Sequence, residues 1–435
     1  MDRQGNSPDE TMEAQENHPK RPGKKLITPV LAWFLITMIL ANTAARMVFV
    51  LLPLYMRDEL GASISQVGLT FTLANILPLL LQIFGGWLSD TIGRLRTIAI
   101  GAVVATFGYI GFAIAPTWEW IIVALLLEYV SGSLVGPSFG AFIADQSSDE
   151  NRTKLFGIIN SIYQVVGIIG PLLGGYIAYN FGFAPLMTIG ATGYGIAAVL
   201  RVWMAVSSRF SEKRSAATSK QLSFAEFKRS IGTMVTMVIS GGILTWIFIT
   251  DGVRDISFSL ASQLEPLYLA DIGQLNEQQI GGLSSISNIA MVLVMAPAGW
   301  LAAKISERKT IMLGFFVQFT GFVIFLIAGN FLGFAVSWFT LGIGFALVSP
   351  SYDSLISKAV PEENRGLAYG LFWTSVSLLA LPAPYLGGIL WDRFTPRTPF
   401  IITTIVVLLS ILPVWFKFKL PDKQAKPRGT NAIVT

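Results

Sequence analysis

Ionisable side chains stand inside several long apolar runs of this sequence. Asp251, Arg254 and Asp255 share one run, and their i, i+3 and i+4 spacing groups them on one face of a helix. Arg46 and Glu128 stand in two other runs. Ionisable groups in such segments are costly and by default mark a pathway for ions or polar solutes. Together these side chains leave one excess negative charge, which a proton or a cationic solute can balance.

The apolar runs themselves indicate a membrane protein. The chain has 435 residues, of which 53% are hydrophobic and 13% charged, so it has too few polar side chains for a soluble protein of this length. Runs of about 20 residues are long enough to cross a bilayer as helices. The pattern predicts an all-α polytopic protein with twelve transmembrane helices, at 26–55, 65–88, 97–115, 119–144, 154–180, 183–206, 233–265, 279–303, 310–329, 331–357, 366–391 and 398–418.

The residue types exclude several chemistries. The sequence has no cysteine, and its single histidine, His18, lies in the polar N-terminal segment. It also lacks the G-x-x-x-x-G-K-S/T loop that binds nucleotide phosphates. We therefore expect no metal site, no cofactor and no cycle driven by ATP. Carboxylates must carry any transported proton.

Basic residues are concentrated on one predicted side of the membrane. Twelve spans place both chain ends on the same side, and most of the 31 lysines and arginines fall there, whereas Arg57, Arg393 and Arg397 fall on the other. Because cytoplasmic loops carry an excess of Lys and Arg, we expect a multi-pass plasma-membrane protein with both termini in the cytoplasm. This distribution accounts for the net charge of +5 without a nucleic-acid partner.

The chain matches itself at a shift of 213 positions. Pro-Leu-Tyr at 53–55 recurs at 266–268, Gly-Trp-Leu at 86–88 recurs at 299–301, and Leu-Gly-Gly at 173–175 recurs at 386–388. A single register held without a gap indicates two homologous halves. Since each half has an even number of spans, the repeats are parallel. Such repeats hold a substrate site between them near the bilayer midplane and rock against each other.

The repeat and the polar segments predict five regions. They are a disordered cytoplasmic tail at 1–25, an N-terminal six-helix bundle at 26–206, a cytoplasmic linker at 207–232, a C-terminal six-helix bundle at 233–418 and a second cytoplasmic tail at 419–435. Apolar and charged residues alternate in the linker, which suggests a short interfacial helix there.

A glycine-rich motif separates the second and third predicted spans. The sequence GGWLSDTIGRLR at 85–96 resembles the G-x-L-S/A-D-x-x-G-R-x-K/R signature of the major facilitator superfamily. The resemblance implies the major facilitator fold and a cytoplasmic gate that includes Gly86, Asp90, Gly93, Arg94 and Arg96. It also implies that the aspartate engages the start of the eleventh helix. The second half has Ala303 at the position of Asp90, so we expect an asymmetric gate.

A second motif lies in the fifth predicted span. Its residues Gly167, Gly170, Pro171, Gly174 and Gly175 resemble the G-P-x-x-G-G motif of drug:proton antiporters in the same superfamily. Glycines allow close crossing of helices, and proline bends a helix. We interpret the motif as a packing and bending element, and the resemblance implies export as the direction of transport.

Arg46 and Glu128 occupy similar predicted depths. Each lies about 13 Å from the outer end of its span at ~1.5 Å per residue. In those antiporters the fourth helix usually bears an arginine, whereas here it bears Glu128 and the first helix bears Arg46. The resemblance implies that both helices line the central cavity. The two residues then form either an exchanged functional pair or a structural ion pair. We expect Arg201, nearer the cytoplasmic end of the sixth span, to snorkel toward the interface.

These observations predict a secondary transporter that moves a small organic solute by alternating access, as proton-coupled efflux. Asp251 or Asp255 is the predicted proton carrier, with Glu128 as the second choice. The closest alternative is a proton- or sodium-coupled importer or a facilitator on the same fold. A membrane-embedded enzyme or a non-transporting scaffold is more remote. The expected partners are a small-molecule substrate, a proton or other coupling ion and the lipid bilayer, and we expect a monomer.

Overall fold

The computed structural model describes residues 27–147, 149–207, 242–359 and 379–418. Every regular element in these ranges is a helix. Both predicted tails, the linker after residue 207 and its predicted helix, and the first parts of the seventh and eleventh predicted spans lie outside the described residues.

The first half contains seven helices in the described ranges. They are α1 Pro29–Phe49, α2 Leu52–Asp58, α3 Ile64–Ile92, α4 Arg94–Ile114, α5 Trp118–Gln146, α6 Asp149–Phe181 and α7 Phe183–Val206. The second half, where described, contains α8 Ile243–Ala261, a 3₁₀ turn Ser262–Leu264, α9 Glu265–Asp271, α10 Glu277–Ile305, α11 Glu307–Ile327, α12 Phe331–Ala359, α13 Ala383–Arg393 and α14 Thr398–Lys417.

Short connections reverse the chain after each long helix, so the helix ends form two faces. We call the face with the loops at 59–63 and 272–276 the distal face, and the face with the turns at Gly93 and Ser306 the proximal face. Nine helices of the described ranges are long and apolar enough to cross a membrane. Their outer surfaces expose large apolar side chains, such as Val206 at 81% and Ile327 at 77%, which suits contact with hydrocarbon.

In both halves a new helix begins at the repeated Pro-Leu-Tyr sequence. α1 ends at Phe49, and α2 restarts at Leu52 with Pro53 in its first turn. In the second half, α9 begins at Glu265 with Pro266 in its first turn. Proline has no N–H to donate and a fixed φ, so it fits the first turn of a new helix. The first predicted span, 26–55, therefore consists of two helices, whereas the seventh predicted span, 233–265, ends where the repeated sequence begins.

The two halves also begin their next helix in the same way. α3 starts with a capping box in which Ser63 and Gln66 satisfy each other's backbone N–H groups. α10 starts with the same box, formed by Asn276 and Gln279 at the equivalent positions. Reciprocal capping fixes the first turn of each helix. The repeat therefore preserves local geometry where the residue types differ.

Small residues set the contact between the halves. A side-chain carbon added to Gly68 of α3 would overlap the carbonyl oxygen of Pro384 of α13, and one added to Gly281 of α10 would overlap that of Pro171 of α6. The 213-position shift relates these two contacts. The halves therefore meet along α3–α13 and α6–α10 with two-fold pseudosymmetry, which confirms the predicted parallel repeat.

Candidate functional site: the central interface and its proximal turns

The first predicted gate residues form a tight turn on the proximal face. α3 ends at Ile92 and α4 begins at Arg94, so Gly93 forms the turn. Its φ of +103° is one that glycine adopts readily and other residues do not. Gly86 faces the side chain of Pro137 in α5. The turn brings the end of α3 and the start of α4 together.

An ion pair joins this turn to α5. The Arg94 guanidinium contacts the carboxylate of Asp90 and lies 3.5 Å from Asp145 Oδ2. It also donates a hydrogen bond to the Ser89 hydroxyl at 3.1 Å. Arg96 is exposed on the same face. The predicted contact of Asp90 with the start of the eleventh helix lies outside the described residues.

The second half repeats this arrangement with its charges exchanged. Ser306 takes the place of Gly93 and has a φ of +113°. Glu307, the first residue of α11, contacts Lys358 near the end of α12 and accepts a hydrogen bond from the Ser354 hydroxyl at 2.9 Å. Lys358 is equivalent to Asp145 under the 213-position shift. Sequence reasoning missed this pair, although the shift aligns opposite charges at both of its positions.

The three charged residues of α8 lie together. Arg254 Nη2 is 2.5 Å from Asp251 Oδ1 and 3.2 Å from Asp255 Oδ1. The Asp251 side chain is 4% exposed, whereas that of Asp255 is 30% exposed. One base therefore lies between an enclosed acid and an accessible acid, on one helix.

Aromatic rings enclose the Arg254 side chain within the second half. Its guanidinium carbon is 5.1 Å from the ring centre of Phe315 in α11, 5.5 Å from that of Tyr352 in α12 and 5.9 Å from that of Phe258 in α8. Aromatic faces attract a cation that has lost its water. Arg254 Nε and Nη1 are buried without a hydrogen-bond partner in the described part of the chain, so Arg254 depends on the two acids for its polar contacts.

Arg46 and Glu128 are not brought together. Both side chains are described, and no ion pair within 4.0 Å joins them. Arg46 of α1 is exposed, and its Cβ lies where a side chain on Gly170 of α6 would stand. Glu128 of α5 instead lies near three tyrosines, Tyr109, Tyr129 and Tyr194. The predicted pair is therefore absent from this structure.

Arg201 does not snorkel. It is 4% exposed, and its Nε donates to the Thr37 hydroxyl of α1 at 3.4 Å. The prediction was wrong because depth along a helix does not show which side of the helix faces a neighbour.

The glycines of the second motif lie at two helix crossings. A side chain on Gly170 or Gly174 would overlap α1, and one on Gly167 or Gly175 would overlap α10. α6 therefore packs at once against its own half and against the other half. Pro171 provides the carbonyl that Gly281 approaches.

Polar contacts hold the distal part of the interface closed. They are the Arg57–Asp271 ion pair at 2.5 Å and hydrogen bonds from the Ser65 N–H to Asp392 at 3.1 Å, from the Tyr385 N–H to the Thr72 hydroxyl at 3.3 Å and from the Ser285 hydroxyl to the Ile168 carbonyl at 2.7 Å. Each joins one half to the other. Sequence reasoning placed Arg57 on the distal side but found no partner for it.

The fold and these sites define a two-part, pseudosymmetric membrane protein of the alternating-access type. The model of the Major Facilitator Superfamily matches residues 34–263 and 247–434. The chain belongs to the major facilitator superfamily.

Three sequence relatives are transporters. A Na(+), Li(+), K(+)/H(+) antiporter of Planococcus maritimus is 24% identical over 416 residues, which cover 88% of this chain and 94% of the relative. A homolog of the multi-drug resistance efflux pump PmrA of Lactococcus lactis subsp. lactis is 25% identical, covering 87% and 92%. The quinolone resistance protein NorA of Staphylococcus aureus is 25% identical, covering 80% and 86%.

Solved structures share the fold. The nucleoside transporter NupG superposes with a TM-score of 0.74 at 15% identity, covering 90% of this chain and all of the other. A peptide transporter, POT, superposes with a TM-score of 0.69 at 16% identity, covering 89% and 93%.

Proposed function

We propose that this protein exports a small organic solute across the plasma membrane in exchange for protons. The observation that carries the proposal is the α8 cluster, in which Arg254 lies between Asp251 and Asp255. Two acids that share one base leave one negative charge, which a proton or a cationic solute neutralises in turn. The names of the sequence relatives, which include efflux pumps and an antiporter, support the same function.

In this proposal the halves at 26–206 and 233–418 rock about their interface. The distal contacts, among them Arg57–Asp271, close one side and leave the proximal side for solute entry. The concentration of basic residues there makes the proximal face cytoplasmic. The linker and both tails are then cytoplasmic as well, and a monomer suffices because both halves come from one chain. The solute leaves chemically unchanged.

The exchange of charges follows from the accessibility of the two acids. When the distal side opens, a proton from outside binds the less buried acid, Asp255, and Arg254 then pairs with Asp251 alone. Release of the proton to the cytoplasm restores the negative charge, which favours binding of a cationic solute. Each half-cycle therefore leaves the buried cluster close to neutral, as a low-dielectric site requires.

Flux in inverted membrane vesicles tests the proposal. Acidifying the vesicle interior should drive accumulation of a cationic dye by the wild-type chain. Asp251→Asn and Asp255→Asn should each lower that accumulation by about tenfold or more, yet retain dye exchange without a gradient, because a neutral amide resembles the protonated acid. Glu119→Gln, an exposed acid on the distal face, is the matched control and should behave as wild type.

Two results would overturn the proposal. If Asp251→Asn, Asp255→Asn and Glu128→Gln all retain uphill proton-dependent transport, carboxylates do not couple it. If uptake into right-side-out vesicles is driven by an inward proton or sodium gradient, the chain is an importer on the same fold. The solved neighbours, named as nucleoside and peptide transporters, make nucleosides and peptides the first substrates to try in that arm.

A further inference from the structure

Three basic side chains of the second half lie over tryptophan rings at the proximal face. Lys304 Nζ is 4.8 Å from the ring centre of Trp300, the Arg308 guanidinium carbon is 5.3 Å from that of Trp415, and Lys417 Nζ is 5.0 Å from that of Trp246. We call this set, Trp246, Trp300, Lys304, Arg308, Trp415 and Lys417, the tryptophan–cation belt.

Side chains of four helices form the belt. Arg308 of α11 also donates a hydrogen bond to the Trp415 carbonyl of α14 at 3.3 Å, and Lys417 of α14 reaches Trp246 of α8. Lys304 is near the end of α10, on the other side of the Ser306 turn from Arg308. Each cation of the belt therefore lies at, or one residue from, the proximal end of its helix.

No carboxylate neutralises these cations in the described part of the chain. The neighbouring acid, Glu307, is taken by Lys358. The first half differs, because Arg94 on the same face is paired with Asp90 and Asp145. Under the 213-position shift, Lys304 and Arg308 correspond to the uncharged Thr91 and Leu95, so the belt adds positive charge at positions that are neutral in the first half.

Two of the three rings of the belt are exposed, and the third, Trp246, is half-buried. Trp300 is 63% exposed and Trp415 is 47% exposed, and the neighbouring Phe416 is 63% exposed. Indole rings favour the headgroup level of a bilayer, where one part is apolar and the other is wet. A surface with exposed rings beside unneutralised cations fits a ligand that has both an acyl chain and an anionic phosphate.

We propose that the tryptophan–cation belt binds anionic phospholipid of the proximal leaflet. Headgroup phosphates contact Lys304, Arg308 and Lys417, and acyl chains lie on the exposed rings of Trp300 and Trp415. Binding of this kind fixes the second half at the headgroup level, whereas the first half has no equivalent arrangement among its described residues. The proposal does not depend on the direction of transport.

The test measures lipid binding to the full chain in zwitterionic nanodiscs into which phosphatidylglycerol is titrated. Lys304→Gln/Arg308→Gln/Lys417→Gln should weaken phosphatidylglycerol binding by about tenfold or more, since in the proposal these three cations contact the headgroup phosphates directly. The control Arg152→Gln/Lys154→Gln/Lys309→Gln removes the same charge from the same face outside the belt and should change binding by less than about threefold. Lys304→Arg/Lys417→Arg should bind as wild type.

Three outcomes would overturn the proposal. Equal weakening in both triple variants means that general surface charge, not the belt, attracts the lipid. Equal protection against heating by inorganic phosphate and by phosphatidylglycerol means a phosphate site instead of a lipid site. Unchanged binding in Trp300→Leu/Trp415→Leu, which keeps all charges and avoids any folding defect from the triple change, means that the rings take no part.

Discussion

The two halves hold the same proximal ion pair with opposite charges. In the first half, Arg94 at the start of α4 pairs with Asp145 at the end of α5. In the second half, Glu307 at the start of α11 pairs with Lys358 at the end of α12. The positions are equivalent, but acid and base are exchanged. What both halves retain is an attraction between two helix ends, and either order of charges provides it.

The two proximal turns also differ in the net charge of their ion-paired side chains. Asp90 adds a second acid beside Arg94, whereas its equivalent in the second half is Ala303. The pair in the second half therefore neutralises itself, and the cluster in the first half keeps one negative charge for a contact elsewhere. The charged residues inside the helix bundles differ as well. In the second half Arg254 forms an ion pair with Asp251, whereas in the first half Arg46 and Glu128 form no ion pair with each other.

The interior difference should give the largest effect on stability. Arg254→Met leaves Asp251 enclosed without its base, which should lower the free energy of unfolding by about 3–5 kcal/mol. Adding Asp251→Asn should restore most of this loss. Equilibrium unfolding of the purified protein measures both changes.

The control for that cycle lies in the first half. Because Arg46 and Glu128 form no ion pair, Arg46→Met and Glu128→Gln should change the free energy of unfolding additively, within about 0.5 kcal/mol. The comparison of the two halves would be contradicted if the changes in unfolding free energy were strongly non-additive for Arg46 and Glu128. It would also be contradicted if they were additive for Asp251 and Arg254.

The turn residues should give the next largest effect. Gly93→Ala places a side chain at a φ of +103° and should destabilise the protein by about 1–3 kcal/mol. Ser306→Gly relieves the same strain in the second half but loses the 3.4 Å hydrogen bond from the Lys309 N–H to the Ser306 hydroxyl. It should therefore raise the thermal midpoint by less than Gly93→Ala lowers it. A lower midpoint in Ser306→Gly would show that the hydrogen bond outweighs the strain.

Exchanging the proximal charges should change transport more than stability. These side chains are partly exposed, so stability should change by less than about 1 kcal/mol. Arg94→Glu places a new acid beside Asp90 and Asp145 and should lower the initial transport rate by about tenfold, because a gate contact becomes repulsive. Arg94→Glu/Asp145→Arg, which gives the first half the charge order of the second, should recover the rate to within about threefold. Failure of the double variant would mean that the identity of each residue matters, not only their attraction.

The smallest expected effect is at Asp90. Asp90→Ala should slow turnover by a few-fold and leave substrate affinity nearly unchanged, because the residue lies at a gate and not in the cavity. The converse change, Ala303→Asp, should leave both quantities unaltered. Transport rates measured over a range of substrate concentrations separate turnover from affinity, and an unaltered turnover in Asp90→Ala would remove the gate role.

The sequence was sufficient for the class of protein, the parallel repeat and the register between the halves. Apolar runs must be helices in a bilayer, since every backbone polar group has to be satisfied within the segment. The repeated glycines and prolines lie at the interface between the halves. Gly68 and Gly281, which are equivalent under the shift, each approach a proline carbonyl of the other half. The α8 cluster was also readable, because i, i+3 and i+4 spacing fixes side-chain direction on one helix.

Only the tertiary structure decided contacts between helices. Arg46 and Glu128 were predicted at similar depth, but depth leaves the rotation of each helix free, and they do not pair. The same freedom hid the contact of Arg201 with Thr37 and that of Arg57 with Asp271. For Glu307 and Lys358, the 213-position shift already aligned an acid with Arg94 and a base with Asp145. It took the packing of α11 on α12 to show that they compensate each other, because attraction depends on the distance between two side chains and not on their positions in the chain.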